Sequence, residues 1–133
     1  MVKKITHIGI AVDNLEESVR IFEQILGIRN SGTEEVPAQK VKVAFIPVGE
    51  TNIELLEGTA SDSPITKFLE QRGGGVHHLA FEVQDLAAEL ERLKAAGVRL
   101  IDQEPRAGAH GAKVAFLHPK ETGKVLCELV EKP

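Results

Sequence analysis

The stretch GGGVHHLAFEV at residues 73–83 decides how this chain folds. Three glycines and two adjacent histidines lead into an alternating apolar run, a pattern typical of a β-strand with one buried face. A second stretch, ITHIGIAV at residues 5–12, has one histidine before the same alternation. HIGIAV, which begins at His7, aligns with HLAFEV, which begins at His78, at an offset of 71 residues. This alignment indicates an internal repeat.

The repeat extends along the rest of the chain. Three further pairs of segments match in the same order, namely GIR (27–29) with GVR (97–99), KVAF (42–45) with KVAF (113–116), and ELLE (54–57) with ELVE (128–131). Chance readily produces one such match but not four in register. The chain is therefore predicted to contain two βαβββ modules, at about 4–58 and 75–131, within one domain of residues 1–133.

Each module is predicted to have one helix after its first strand. The apolar residues with helical spacing are Leu15, Val19, Phe22 and Leu26 in the first module and Leu86, Leu90 and Leu93 in the second. Asp13 and Glu16 have the spacing of a capping box, and Gly27 suits the helix end. The remaining strands of the second module are expected in VRL, AKVAFLHP and VLCELVE. The linker at 59–74 is predicted to contain a short helix with Ser63 as its N-cap.

Composition excludes several classes of function. The 133 residues carry a net charge of −4 with no run of Lys or Arg, which argues against a nucleic-acid partner. No apolar run approaches the roughly 20 residues that span a membrane, and the N-terminus has no signal-peptide core. The single cysteine, Cys127, excludes an internal disulfide and fits the reducing cytoplasm.

Strand alternation makes the histidines informative. His7 and His78 share their strand faces with glycine and alanine, away from the faces that pack under the helices, whereas His77 falls on the opposite face. Small neighbours leave room for a cavity on the histidine face. We therefore expect an α+β fold in which the two modules form a curved mixed sheet around a central metal cavity.

Four residues are candidate metal ligands. His7 and His78 occupy equivalent places in the two first strands, and Glu54 and Glu128 occupy equivalent places in the two last strands. A lone histidine is more often structural, and an edge-strand glutamate often points into water. Repetition of both residue types instead favours a nitrogen/oxygen site for one divalent ion, such as Co²⁺, Ni²⁺, Mn²⁺ or Zn²⁺.

These residues resemble the vicinal oxygen chelate superfamily, and within it the methylmalonyl-CoA epimerase family. The resemblance covers essentially the whole chain. THIGIAV is shared broadly in the superfamily, whereas DSPITKFLEQRGGGVHHLAFEV and GAHGAKVAFLHPKETGKVLCELVE are narrower. It implies an isomerase that acts on an acyl-CoA with one divalent ion per chain, held by His7, Glu54, His78 and Glu128, and we expect Co²⁺ ahead of Ni²⁺, Mn²⁺ or Zn²⁺. Some members have glutamine in place of Glu54.

The resemblance also implies proton transfer at C2 of the acyl group, with Glu128 as the first candidate base. The second base stays open between Glu54, Lys42 and a metal-held water. One branch of the family has a glutamate, proposed as a base, in the strand where this chain has Lys42. We further expect a homodimer, because small modules usually cover their sheet edges by pairing.

Three alternative functions are compatible with the pattern. A glyoxalase I-type lactoylglutathione lyase shares the module order and ligand set, but its usual D-P-D-G turn is replaced here by HPKETG. A ring-cleaving dioxygenase needs open Fe(II) positions that a carboxylate at Glu54 would crowd. A binding protein of the same fold without turnover commonly lacks the full ligand set.

Overall fold

The computed structural model of the chain describes residues 1–133. The strands are β1 (Val2–Ala11), β2 (Thr33–Val36), β3 (Val41–Val48), β4 (Thr51–Gly58), β5 (Gly75–Val83), β6 (Arg106–Ala107), β7 (Lys113–Leu117) and β8 (Cys127–Glu131). The helices are α1 (Leu15–Leu26), α2 (Pro64–Arg72) and α3 (Leu86–Ala95). None of the three helices combines the length and the apolar character needed to cross a membrane.

The strands repeat one arrangement twice. The strand order is β2-β3-β4-β1 in the first module and β5-β8-β7-β6 in the second. In each half the first strand of the module runs parallel to the last one, and the remaining pairs are antiparallel. The predicted α+β fold of two βαβββ modules is confirmed. By contact density the chain divides into two compact units, His7–His77 and Met1–Thr6 with His78–Pro133.

In the unit His7–His77, α1 covers one face of its strands. The core there consists of Leu15, Ala44, Ile46 and Leu55, with Ile10, Val12, Val19, Phe22, Ile28 and Ile53 packed against it. The predicted helix residues Leu15, Val19 and Phe22 are among them, whereas Leu26 is 40% exposed. The opposite face of β1 carries His7, so the helix and the histidine lie on opposite sides of this strand.

The second unit has the same arrangement with α3. Its core consists of Val83, Leu86, Leu90, Leu100, Ala115, Leu117, Cys127 and Leu129, with Phe81, Leu93 and Val98 packed against it. A smaller cluster of Ala80, Ala112, Val114 and Val130 lies apart from this core. Cys127 is a free, buried thiol that packs among apolar side chains.

The start of α1 differs by one residue from the predicted capping box of Asp13 and Glu16. Asn14 is the N-cap, and its side-chain oxygen accepts the N–H of Glu17 at 3.0 Å. Both Asp and Asn favour this position, so the local sequence does not separate them. The end of the helix follows the prediction, since Gly27 caps it in the left-handed conformation.

The cap of α2 and the segment VRL (98–100) were also predicted from the sequence. Ser63 caps α2 as predicted, accepting the N–H of Ile65 at 3.2 Å. VRL does not form a strand: Leu100 makes only an isolated bridge to Leu117, and β6 lies later in the chain. The prediction of a strand there was wrong. Val98 and Leu100 pack into the core with α3 and its strands, and this packing, not strand pairing, accounts for their apolar character.

Candidate metal centre

The first half of the site is built on β1 and β4. These strands are parallel, with Gly9 opposite Glu54. Opposed residues in adjacent strands share a face, and so do alternate residues of one strand, so Glu54 and His7 point to the same side. Their side chains meet: Nδ1 of His7 lies 3.1 Å from a carboxylate oxygen of Glu54.

The second half repeats this geometry on β5 and β8. Ala80 is opposite Glu128 in the parallel pair, which places Glu128 on the same face as His78. Nε2 of His78 lies 3.3 Å from a carboxylate oxygen of Glu128. The equivalence inferred from the sequence repeat is therefore matched by one histidine–glutamate contact in each module, made through Nδ1 of His7 and through Nε2 of His78.

All four side chains are buried, and Glu128 is only 3% exposed. A buried carboxylate is costly unless it is paired, and each of these has an imidazole beside it. His7 and Glu54 belong to the unit His7–His77, and His78 and Glu128 belong to the other unit, so each unit supplies one imidazole and one carboxylate. This mixed nitrogen and oxygen set suits a divalent transition metal.

Two phenylalanines accompany the glutamates, and sequence reasoning missed both. Phe45 on β3 is opposite Glu54, and Phe116 on β7 is opposite Glu128. The Phe116 ring meets the His78 ring edge to face, with centroids 5.5 Å apart. The signal was present in the repeat, because both phenylalanines end the matched KVAF segments. They place apolar rings on the strand faces that carry the buried glutamates.

Lys42, the other candidate base, lies elsewhere. It is opposite Glu57 on β4 and three residues before Phe45, so its side chain is on the other face of β3 from Glu54. Lys42 is exposed and lines a groove beside the start of α1, with Asn14 among the neighbouring residues. The structure therefore brings His7, Glu54, His78 and Glu128 into two contacting pairs but does not add Lys42 to either.

The other histidines have different surroundings. The His77 ring packs edge to face on Phe68 of α2, with centroids 5.0 Å apart. His118 caps the short turn that follows it, where its Nδ1 accepts the N–H of Lys120 at 3.2 Å. His110 is exposed, with a left-handed φ of 55° in the turn before β7. None of the three belongs to the group of possible metal ligands.

Known proteins match most of the chain. Residues 6–116 match the family model of the glyoxalase/bleomycin resistance protein/dioxygenase superfamily. The uncharacterized protein YqjC of Bacillus subtilis is 44% identical over 128 residues, which cover 96% of this chain and 91% of the relative. An ethylmalonyl-CoA/methylmalonyl-CoA epimerase of Cereibacter sphaeroides is 41% identical over 131 residues, covering 97% and 98%.

A solved structure is also similar to this chain. It is a variant of Streptomyces coelicolor methylmalonyl-CoA epimerase in complex with 2-nitronate-propionyl-CoA. It is 36% identical, covers 99% of this chain and 96% of its own, and superposes with a TM-score of 0.95. Likeness at this level extends over both modules.

Proposed function

Because this chain belongs to the glyoxalase/bleomycin resistance protein/dioxygenase superfamily, we propose that it is a metal-dependent epimerase that interconverts (R)- and (S)-methylmalonyl-CoA. Support comes from relatives that match nearly the whole chain and are named epimerases of this substrate. The observation that carries the proposal is the buried pair of one histidine and one glutamate in each module, His7 with Glu54 at 3.1 Å and His78 with Glu128 at 3.3 Å.

The residues present fit one divalent ion held by His7, Glu54, His78 and Glu128. Two imidazoles and two carboxylates are donors that Co²⁺, Ni²⁺, Mn²⁺ and Zn²⁺ accept, and Co²⁺ is our first choice. A cation would also balance the negative charge of the two buried carboxylates. When bound, the ion supplies Lewis-acid stabilisation of the negative charge that develops on the thioester oxygen.

The reaction begins at C2 of the acyl group, between a thioester carbonyl and a carboxylate. The C2–H bond breaks, the proton passes to a base, and the electron pair moves to the thioester oxygen to give an enolate. A proton returned to the opposite face of the planar enolate gives the other epimer. Inversion therefore requires a proton-transferring group on each face.

We assign these two groups to Glu128 and Glu54. Their repeat-equivalent positions and their matching contacts with His78 at 3.3 Å and His7 at 3.1 Å support the pair. In this proposal each imidazole orients the carboxylate beside it for proton transfer at C2. Lys42 has no role in this proposal because its side chain lies on the opposite face of β3. A water molecule is the alternative for the second group.

Deuterium exchange tests the proposal directly. Protein loaded separately with each of the four ions is incubated with (S)-methylmalonyl-CoA in D₂O. The expected result is one deuterium at C2 together with both epimers, well above the rate without protein. The His78→Ala variant should show exchange near that background. Absence of exchange with every ion would overturn the proposed activity.

The same preparations separate the alternatives. The hemithioacetal of methylglyoxal and glutathione should give no lactoylglutathione. If this compound is converted and methylmalonyl-CoA is not, the chain is a lyase. Tight calorimetric binding of methylmalonyl-CoA without exchange would instead identify a binding protein.

A further inference from the structure

Two lysines share one carboxylate near the end of β5. Nζ of Lys132 lies 3.3 Å from Oε1 of Glu82, and Nζ of Lys3 lies 4.0 Å from Oε2 of the same residue. All three residues belong to the unit of Met1–Thr6 and His78–Pro133. Two positive charges therefore meet one negative charge here, which is a local excess of positive charge in a chain whose net charge is −4.

The carboxylate does not use the hydrogen-bond donors of the two lysines. An ammonium carries three N–H donors. The contact of Lys3 at 4.0 Å is too long for a hydrogen bond, and Oε1 of Glu82 has no hydrogen-bond partner. The side chains of Lys3 and Lys132 are 49% and 53% exposed, whereas that of Glu82 is 15% exposed. A mostly buried carboxylate thus keeps two accessible ammoniums together, which lowers the entropy cost of binding an anion between them.

These lysines lie on the strand face that carries the second half of the proposed metal site. Glu82 is four residues after His78 on β5, and Lys132 is four residues after Glu128, just beyond the end of β8. Residues an even number of positions apart share a face of a strand. Four strand residues span about 13 Å. The cations are therefore displaced along the strands from the proposed metal ligands, on the same side.

An apolar step separates the cations from the metal ligands. Ala80 and Val130 occupy the intermediate positions of the two strands, and both are buried in a small apolar cluster. Ile5, two residues after Lys3 on β1, adds a large apolar side chain that is 40% exposed. The order along this face is metal ligands, apolar residues and then cations. An acyl-CoA has its groups in the same order, namely the thioester, the pantetheine arm and the phosphates.

The first module lacks charges at the equivalent places. In the repeat Glu82 is equivalent to Ala11, and Lys132 is equivalent to Gly58. Both modules nevertheless form the same βαβββ arrangement. The fold of a module therefore does not require the charged group, and a role in binding accounts for its presence in the second module alone.

We propose that Lys3 and Lys132 bind a phosphate group of CoA, with Glu82 holding the two ammoniums side by side. This inference rests on the proposed function, because it assigns the residues that hold the far end of that substrate. Ammonium–phosphate contacts are charge-assisted hydrogen bonds, and one phosphate has oxygens for both lysines. The substrate has two sources of this anion, the diphosphate and the 3′-phosphate of its nucleotide. The lysines bind substrate and transfer no proton at C2.

The test compares lysine variants on three substrates. Lys3→Met, Lys132→Met and the double variant remove charge and keep unbranched stems. Lys94→Met is the matched control, because Lys94 on α3 is also paired with a glutamate, at 3.2 Å. The kcat and KM of each are measured with methylmalonyl-CoA, with its dephospho-CoA analogue, which lacks the 3′-phosphate, and with methylmalonyl-pantetheine, which lacks every phosphate.

We expect the double variant to raise KM for methylmalonyl-CoA by about 10- to 100-fold, as for the loss of charged hydrogen bonds, with kcat within about threefold. Each single variant should show a smaller rise and serves as the test if the double variant does not fold. KM for methylmalonyl-pantetheine should match that of the wild-type protein. A rise with the CoA ester alone identifies the 3′-phosphate, and a rise with the dephospho-CoA ester as well identifies the diphosphate.

Two results would overturn the inference. One is an unchanged KM for methylmalonyl-CoA in the double variant. The other is an equal rise for methylmalonyl-pantetheine, which would mean that the lysines act on the fold and not on a phosphate. If the wild-type protein has no activity, the proposed function is wrong, and calorimetric binding of CoA itself then tests the lysines. Equal dissociation constants for the wild-type and double-variant proteins, or no binding to either, would overturn the phosphate contact in that case.

Discussion

Adjacent histidines with opposite surroundings provide a sharp test of the metal centre. His78 is 5% exposed and contacts Glu128, whereas His77 packs on Phe68 of α2. When each histidine is replaced in turn by alanine, the two variants lose the same type of side chain at adjacent positions of β5. Because the two side chains lie on opposite faces of β5, the consequences should differ in kind.

The structure sets the expected magnitudes. Loss of a residue that merely orients a metal ligand weakens metal binding by about 10–100-fold, so loss of His78 itself should weaken it by at least about 100-fold. Loss of the edge-to-face contact of His77 should cost about 1–2 kcal/mol of unfolding free energy, including lost packing. For a domain of this size this lowers Tm by about 3–6 °C. His78→Ala also destabilises, since it leaves the carboxylate of Glu128 buried without its imidazole.

Metal content is therefore the deciding measurement, and Tm and the epimerisation rate are measured on the same variants. We expect His78→Ala to be folded, poor in metal and nearly inactive, and His77→Ala to melt lower while it keeps its metal and much of its turnover. Elemental analysis after dialysis against a weak chelator gives the metal per chain. If His77→Ala is the variant that loses metal, the assignment of faces on β5 is wrong.

Three other outcomes are expected. Light scattering at micromolar concentration should give about twice the chain mass of 14.4 kDa, and a monomer would contradict the predicted homodimer. Glu131→Ala should lower the unfolding free energy by about 1–2 kcal/mol, because Glu131 accepts the Leu86 N–H at 2.8 Å. Glu131→Gln keeps an acceptor oxygen and should recover part of that loss. Equal losses in the two variants would contradict a role for this hydrogen bond. The backbone N–H of Arg99 holds the pKa of Glu121 below its ordinary 4.5, so its stabilisation is complete above about pH 4.5 and is lost as the pH falls through the lowered value. Glu121→Gln should therefore destabilise at about pH 6 and have less effect at about pH 3, whereas a loss that does not vary with pH would contradict this.

Strand parity explains why the contacts of His7 with Glu54 and of His78 with Glu128 could be expected from the sequence. A strand side chain can point to only one of two faces, and an internal repeat shows the same alternation at two places in the chain. Once His78 was aligned with His7, the face of each histidine followed from the alternation of its neighbours. The glutamates followed in the same way, because ELLE and ELVE end the two modules at matching places.

Features that depend on distant contacts were not predictable in this way. Asp13 and Asn14 are equally good helix caps locally, and the choice involves a contact across 42 residues, where the carboxylate of Glu57 accepts the first helical N–H, that of Leu15. The two-residue strand β6 has no periodicity to detect. It lies beside Asp102, which accepts a backbone N–H from β7, and no local pattern signals such a contact.

The last strand of each module connects the site to a helix through a spacing of three residues. Glu54 and Glu57 lie on opposite faces of β4, because three is an odd number of strand residues. One contacts His7, and the other accepts the N–H that begins α1. Glu128 and Glu131 repeat both contacts, with His78 and with the start of α3. A one-residue slip of either strand would therefore exchange the two carboxylates, removing the buried partner of a histidine and the anion at a helix N-terminus together. In each module the polar contacts, as well as the apolar core, therefore disfavour a shifted strand register.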